Sequence, residues 1–247
     1  MTLGCDAEGR RGPSGLWVRL AVAGSVVAAA WVVRDYRGWL ALGPGGLPHT
    51  PRGWLTMAAL RARTWRVDPF HITGLTGAGR LDGPLPERAG PRPAVAHYPI
   101  PHRQLDQLPG PGFTSPLTIG SFVATRPTLV VRQSYFEKHN DAAFTVPDLP
   151  VHADGEVSGG EIGHIHADGS LHVVLAPEDA AAAIGQGWGQ LHPAGGLVAG
   201  LPATYVLVYA PRSAAEVAVV EQLLDAAAGH MSGSRPASTH APSREGT

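Results

Sequence analysis

The densest chemistry in this 247-residue chain is a run of histidines. Glu161-Ile-Gly-His164-Ile-His166 is followed by His172 across a short polar interval. His192 then closes Gly185-Gln-Gly187-Trp188-Gly-Gln-Leu-His192, so four of the chain's 12 histidines fall in one short stretch. Imidazole ordinarily titrates near neutrality and is also a common metal ligand, so the run suits proton transfer or metal ligation. The HxH spacing puts His164 and His166 on one face of a strand, because side chains alternate with a period of two. A two-residue Asp168-Gly169 turn would pair Ile165 with His172 and send that histidine to the opposite face. A three-residue loop, Ala167 to Gly169 with Gly169 left-handed, would pair His164 with His172 instead. The second register is expected, because it gathers Ile165, Leu171, Val173 and Leu175 on one face, and burial of that face fixes register. The residues alone leave three uses open: a metal site with His164, His166 and His172 as ligands, metal-free acid–base chemistry on a bound phenol or enol, and a structural role.

The elements that must position these side chains are legible from Thr128 onward. Thr128–Gln133 is rich in β-branched residues and predicts a strand, and Glu161–Ala176 predicts a hairpin. Pro177 with Glu178 and Asp179 opens a helix that Gly185 and Gly187 end. Thr204–Tyr209 predicts a strand stopped by Pro211. Ser213-Ala-Ala-Glu216 is a capping box, and Val217, Val220, Leu224 and Ala228 follow on one face of a last helix. This order implies an α+β domain over residues 128–230, a mostly antiparallel sheet with helices packed on one face. The polar tail, 231–247, is expected to be disordered.

Upstream, residues 74–127 are thick with proline and glycine and predict irregular structure wrapped on the domain surface. Residues 34–73 form a juxtamembrane segment, with a loop over Gly43–Pro51 and then a helix over Arg52–Arg66. That helix carries Trp54, Leu55, Met57, Leu60 and Trp65 among four arginines, a pattern that suits a membrane surface as well as packing on the domain. Residues 16–33, LWVRLAVAGSVVAAAWVV, predict a single transmembrane helix after an N-terminal tail of residues 1–15. Trp17 and Trp31 suit the interfaces, and Arg19 is near enough to one end to snorkel. A cleaved signal peptide is the competing reading, with Arg10 and Arg11 as its basic region and Ala28–Ala30 as small residues for cleavage. Arginines after the span outnumber those before it, which places the main domain on the cytoplasmic side.

Composition excludes several functions. A formal net charge of -1 and the absence of a basic run argue against nucleic acid as a partner. A single cysteine, Cys5, rules out an intrachain disulfide, a multi-cysteine zinc site and a CxxC redox centre.

The blocks EIGHIHADGSLHVVL, GWGQLHP, YVLVYAPR and EVAVVEQLLDAA resemble, in order and spacing, the luciferase domain of the fungal luciferase family. VVRDYRGWLALGP, directly after the apolar span, resembles the stretch that follows the membrane anchor in that family. The resemblance covers the span, the pieces after it and Glu161 to Met231, and leaves Gly74 to Asp154 unmatched. It implies a membrane-bound oxygenase that adds dioxygen to a hydroxylated styrylpyrone, with loss of carbon dioxide from a cyclic peroxide and emission of light. No flavin or nicotinamide is expected, dioxygen is the co-substrate, and a metal stays open. By the same resemblance His164, His166, His172 and His192 match the family's histidines, Glu161 its acidic residue and Trp188 its tryptophan; the histidines and Glu161 are expected to form the catalytic set, and Trp188 and Tyr209 to bind a small-molecule substrate. One of His164 or His172 is expected to be the base, with its neighbour polarising the developing oxyanion. The tight Ala167-Asp168-Gly169-Ser170 connection departs from the longer loop of the luminous proteins. A non-catalytic, membrane-tethered ligand-binding module is the alternative.

Overall fold

A computed structural model describes residues 15–147, 152–198 and 200–232 of the chain. They form two units that divide between Leu42 and Gly43. The first is helix α1 (Gly15–Ala41), in which Trp17–Ala41 is long and apolar enough to cross a membrane. It outruns the expected span of 16–33, because Arg34-Asp35-Tyr36-Arg37 is polar but contains no helix breaker. The helix runs on through Gly38 and ends just before Gly43-Pro44, with Gly43 at φ 79°. Of the expected terminal tails, residues 1–14 and 233–247 lie outside the described residues.

The second unit has the expected α+β architecture. Its strands are β1 (Leu129–Gln133), β2 (Asp141–Thr145), β3 (Glu161–Ile165), β4 (Leu171–Val174), β5 (Gly189–Leu191) and β6 (Tyr205–Val208). They form one sheet in the order β1-β2-β3-β4-β6-β5, antiparallel throughout. The helices are α2 (Pro51–Thr64), α3 (Ile119–Ala124), α4 (Ala153–Val157), α5 (Pro177–Gly185) and α6 (Ala214–Met231). Leu171, Val173, Val206 and Val208 alternate onto one sheet face and share a buried core with Val217, Val220, Leu223 and Leu224 of α6. Ser213 caps α6 by accepting from the Glu216 N–H at 3.2 Å. The Glu216 carboxylate accepts from the Arg212 N–H, one residue before the cap.

The β3–β4 hairpin takes the register that buries its apolar face. His164 pairs with His172 and Ile165 with Leu171, around a loop in which Gly169 has φ 86°. Gly163 lets the strands close up: a Cβ there would stand 2.5 Å from the His172 carbonyl oxygen. Between β2 and β3 the register shifts. Ala143 pairs with Gly163 but Phe144 with Glu161, so Ile162 is the extra residue of a β-bulge. The bulge turns Glu161 onto the face that carries His164, although the two are three residues apart.

Residues 74–127 are irregular apart from α3 and a single bridge between Val95 and Gln104. Side chains of the domain bind this segment's backbone: Asp179 accepts from the Arg80 N–H at 2.6 Å and the Leu81 N–H at 3.1 Å. In return, the Gln104 side-chain oxygen accepts from the Ala210 N–H at 2.8 Å. The helix expected over Arg52–Arg66 is α2, capped by Thr50; it buries Met57, and its Arg61 lies over the Tyr98 ring. Leu55 and, just past the helix, Trp65 stay exposed.

Candidate active site

The sheet face opposite α6 carries the histidines. His164 and His172 face one another across the β3–β4 pair, His166 follows on the same parity, and the His192 N–H bonds to the Tyr205 carbonyl just beyond β5. All four are buried. A fifth, His102, comes from the irregular segment, and its Nδ1 lies 3.2 Å from His172 Nε2. His166 Nε2 lies 3.0 Å from His172 Nδ1, and His166 Nδ1 lies 2.9 Å from Ser170 Oγ.

Glu161, fully buried, organises the other side of the cluster. Its carboxylate accepts from the Ser134 hydroxyl, from the backbone N–H groups of Tyr135 (2.6 Å) and Phe136 (3.3 Å), and from His164 Nδ1 (2.5 Å). A carboxylate can only accept, so the His164 proton sits on Nδ1 and Nε2 keeps its lone pair. Nε2 is buried and has no hydrogen-bond partner among the described residues. The nearest carboxylate to it is Glu137, at 3.9 Å, itself held by Arg103 at 2.6 Å.

Burial disfavours charge on the other imidazoles. It pushes His102, His166 and His172 well below the usual histidine range, and neighbouring histidines add to the effect. His192 is lowered to about 4, chiefly by burial and against a hydrogen bond to the Pro99 carbonyl. Its Nδ1 accepts from the Ala194 N–H at 3.1 Å. Tyr205 stacks on His172 at 4.7 Å between ring centroids. Its hydroxyl is buried without a partner among the described residues, and burial, then Glu161 and Glu137, raise its pKa well above the ordinary value.

These groups surround a cavity of about 310 Å³ lined by His102, His164, His172, His192, Phe136 and Tyr205, among others. Its size is at the small end for an organic ligand. Of the residues expected at the site, His164, His172 and His192 line it, while Glu161 and His166 stand directly behind. Trp188 and Tyr209 do not line it. The Trp188 indole is in the helix-side core and donates to the Pro86 carbonyl at 2.6 Å. The Tyr209 hydroxyl donates to Gln190 Oε1 at 3.0 Å, and the Gln190 amide reaches His102 Nε2 at 3.3 Å. Sequence reasoning missed His102, Ser134, Glu137 and Tyr205. Strand alternation could have found Tyr205, which shares its face with Leu207 and Tyr209.

Two trios, His102/His172/His192 and His164/His166/His172, bring ligand nitrogens within 4.8 Å of one another, close enough to share an ion. Yet nine of the ten nitrogens of these five rings already have a hydrogen-bond partner, His164 Nε2 being the exception. The residue with the one bare nitrogen, His164, lines the cavity.

Residues 159–227 match the model of the luciferase domain. A protein named luciferase from Armillaria gallica is 34% identical over 90% of this chain and 89% of its own length. One from Armillaria mellea is 34% identical over 86% and 85%, and one from Neonothopanus nambi 32% identical over 85% of each. The chain belongs to the luciferase family. The matched length is too great for the middle of the chain to fall wholly outside the kinship. No solved structure matches the chain.

Proposed function

We propose that this protein is a membrane-anchored oxygenase that deprotonates a small enolic or phenolic molecule of the hydroxylated styrylpyrone class and lets the anion react with dioxygen, without flavin or nicotinamide. One observation carries the reading: the buried Glu161–His164 pair fixes an imidazole that lines a cavity of ligand size and whose Nε2 is unpartnered. Of the two histidines that the sequence left equal, the hydrogen-bond pattern favours His164. Both His172 nitrogens are engaged, whereas His164 Nε2 is free to take the hydroxyl proton. The Tyr205 hydroxyl, high in pKa and unpartnered, is the donor for the oxyanion that forms. The enolate carbon then bonds to dioxygen, which is reduced to a peroxide by the electron pair the base has released. Helix α1 supplies the anchor.

Oxygen uptake and photon counting, with the purified full chain in detergent and a hydroxylated styrylpyrone, test this directly. Uptake lost in His164→Ala is the expected result. Tight binding with no uptake would overturn the enzyme reading in favour of a tethered binding module.

A further inference from the structure

We propose that His152, Asp154 and His230 form a binding site for one divalent transition-metal ion, separate from the histidine cavity and independent of the reaction proposed there. The cavity that these three residues border shares no lining residue with the histidine cavity.

Two elements distant in sequence bring the donors together. His152 and Asp154 stand at the start of α4, and His230 lies in the last turn of α6. The backbone registers the two: the His152 N–H donates to the Met231 carbonyl at 2.9 Å. Both imidazoles then reach one carboxylate oxygen, Asp154 Oδ2 being 2.9 Å from His230 Nε2 and 3.3 Å from His152 Nδ1. One donor atom from each residue lies within 4.8 Å of the other two. With metal–ligand bonds of about 2.1 Å, neighbouring donors stand ~3.0 Å apart in an octahedral shell and ~3.4 Å apart in a tetrahedral one, so the two short separations already suit ligation.

The proton inventory points the same way. His230 Nε2–H donates to Asp154 Oδ2. His152 Nδ1 accepts from the Asp154 N–H at 3.2 Å as the cap of α4, so the neutral ring has no proton there to give the carboxylate. Two acceptors thus stand 3.3 Å apart with no hydrogen to share. A cation resolves the conflict. It takes a lone pair from Oδ2, the Nδ1 lone pair of His152 in exchange for a long cap bond, and Nε2 of His230 once that ring carries its proton on Nδ1.

Two imidazoles with one carboxylate suit zinc, cobalt, nickel or iron(II), whereas calcium and magnesium prefer shells of oxygen. His230 is buried, Asp154 half-buried and His152 exposed, so an ion enters from solvent past His152. Three protein ligands leave coordination open, and the bordering cavity of about 280 Å³, shared with Thr76, Arg80 and Thr204, has room for water or a small anion. The consequence is mechanical. Helix α4 leads through Ser158-Gly159-Gly160 into Glu161, so the ion ties the approach to the β-bulge to the end of α6.

Cobalt(II) and zinc titrations of the untagged full chain in detergent, stripped beforehand with chelator, test the proposal. One equivalent of cobalt should bind with micromolar affinity, read as visible absorption that zinc displaces. Zinc at a hundredfold excess over its dissociation constant should raise the melting temperature by about 5–10 °C. His152→Ala, a change at an exposed ring, should weaken binding about tenfold, and Asp154→Asn about a hundredfold. His172→Gln, which breaks both trios of the histidine cavity, should leave binding unchanged. Binding abolished by His172→Gln but kept in His152→Ala would overturn the site and put the ion in the histidine cavity. A parent chain that shows no saturable binding of either metal below about 100 µM would overturn it outright.

Discussion

Replacing Glu161 by glutamine changes one atom and should reverse the polarity of His164. Glu161 Oε2 accepts from the Tyr135 and Phe136 N–H groups, whereas Oε1 faces His164 Nδ1. An amide at this position must keep its oxygen toward the two backbone donors, which places its NH2 against the imidazole. His164 Nδ1 then has to accept, the proton moves to Nε2, and the unpartnered lone pair is lost. In Ser-His-Asp enzymes the corresponding carboxylate-to-amide change costs roughly 10⁴ in turnover through the wrong tautomer, and a loss of that order is expected here. It equals about 5.5 kcal/mol in activation free energy. Folding should suffer less. Three donors besides the imidazole exchange a charged acceptor for a neutral one, partly offset because a buried charge disappears, so ~1–3 kcal/mol of destabilisation is expected. Thermal unfolding would establish that Glu161→Gln is folded, 15N spectra would report the His164 tautomer, and oxygen uptake would report turnover. A folded Glu161→Gln that turns over at the parent rate, or a parent protein whose His164 carries its proton on Nε2, would refute the reasoning. Glu161 is a positioning residue in this account, and Glu161→Asp, which keeps the charge but shortens the reach, should retain more activity than the amide.

Acid should unfold the domain through its buried imidazoles. His192 titrates at about 4 folded against 6.5 unfolded, so the unfolded chain binds more protons in that window. Its contribution is complete above pH 6.5 and declines as pH falls; at pH 5 it amounts to a loss of ~2 kcal/mol, to which His102, His166 and His172 add in the same direction. Denaturant midpoints that are flat from pH 7.5 to 5 would contradict neutral burial. Gly163→Ala should cost ~3 kcal/mol, because its Cβ meets the His172 carbonyl at 2.5 Å and Val173 Cγ1 at 2.9 Å, with backbone on one side that cannot yield; a melting temperature equal to the parent's would show the hairpin to be looser than this. Elemental analysis of the purified Asp154→Asn chain should find no stoichiometric iron, copper or zinc, and one equivalent of any of them would replace the hydrogen-bonded histidine series with a metal centre. Deleting residues 16–33 should move the protein from the membrane pellet to the supernatant, and a pellet that retains it would locate the attachment elsewhere, with the exposed Leu55 and Trp65 as the next surface to test.

The sequence was most legible where a segment's own pattern decides its structure. The hairpin register followed from the alternation of Ile165, Leu171, Val173 and Leu175, and the α6 boundary from Ser213. Elements that exist only through their neighbours were missed. β2 reads Asp-Ala-Ala-Phe-Thr and β5 Gly-Gln-Leu; neither carries a strand signal of its own, and each is a strand because β1 and β3, or β6, pair with it. His102 and Glu137 were invisible for a related reason. Their backbone follows no repeating pattern, and what holds them is non-local: Arg92 bonds the Ile184 and Gly189 carbonyls and Gln104 bonds Ala210, which fixes the segment of His102, while Glu137, in the β1–β2 connection, pairs with Arg103.

The Glu161–His164 pair shows how far parity alone can mislead. On an unbroken strand, positions 161 and 164 face opposite ways, and Glu161 would join Gly163 and Ile165 on the side packed against α6. A carboxylate there would lie among Val173, Val206 and Leu223 with nothing to bond it, at a cost of several kcal/mol. One extra residue removes the conflict. Ile162, completely buried, takes the core position, and Glu161 swings to the face where Ser134, Tyr135 and Phe136 already offer donors. The bulge therefore serves packing and polarity together. A strand that kept strict alternation could satisfy the core or orient His164, but not both, which makes the spacing Glu-Ile-Gly-His a requirement of the proposed base as much as of the fold.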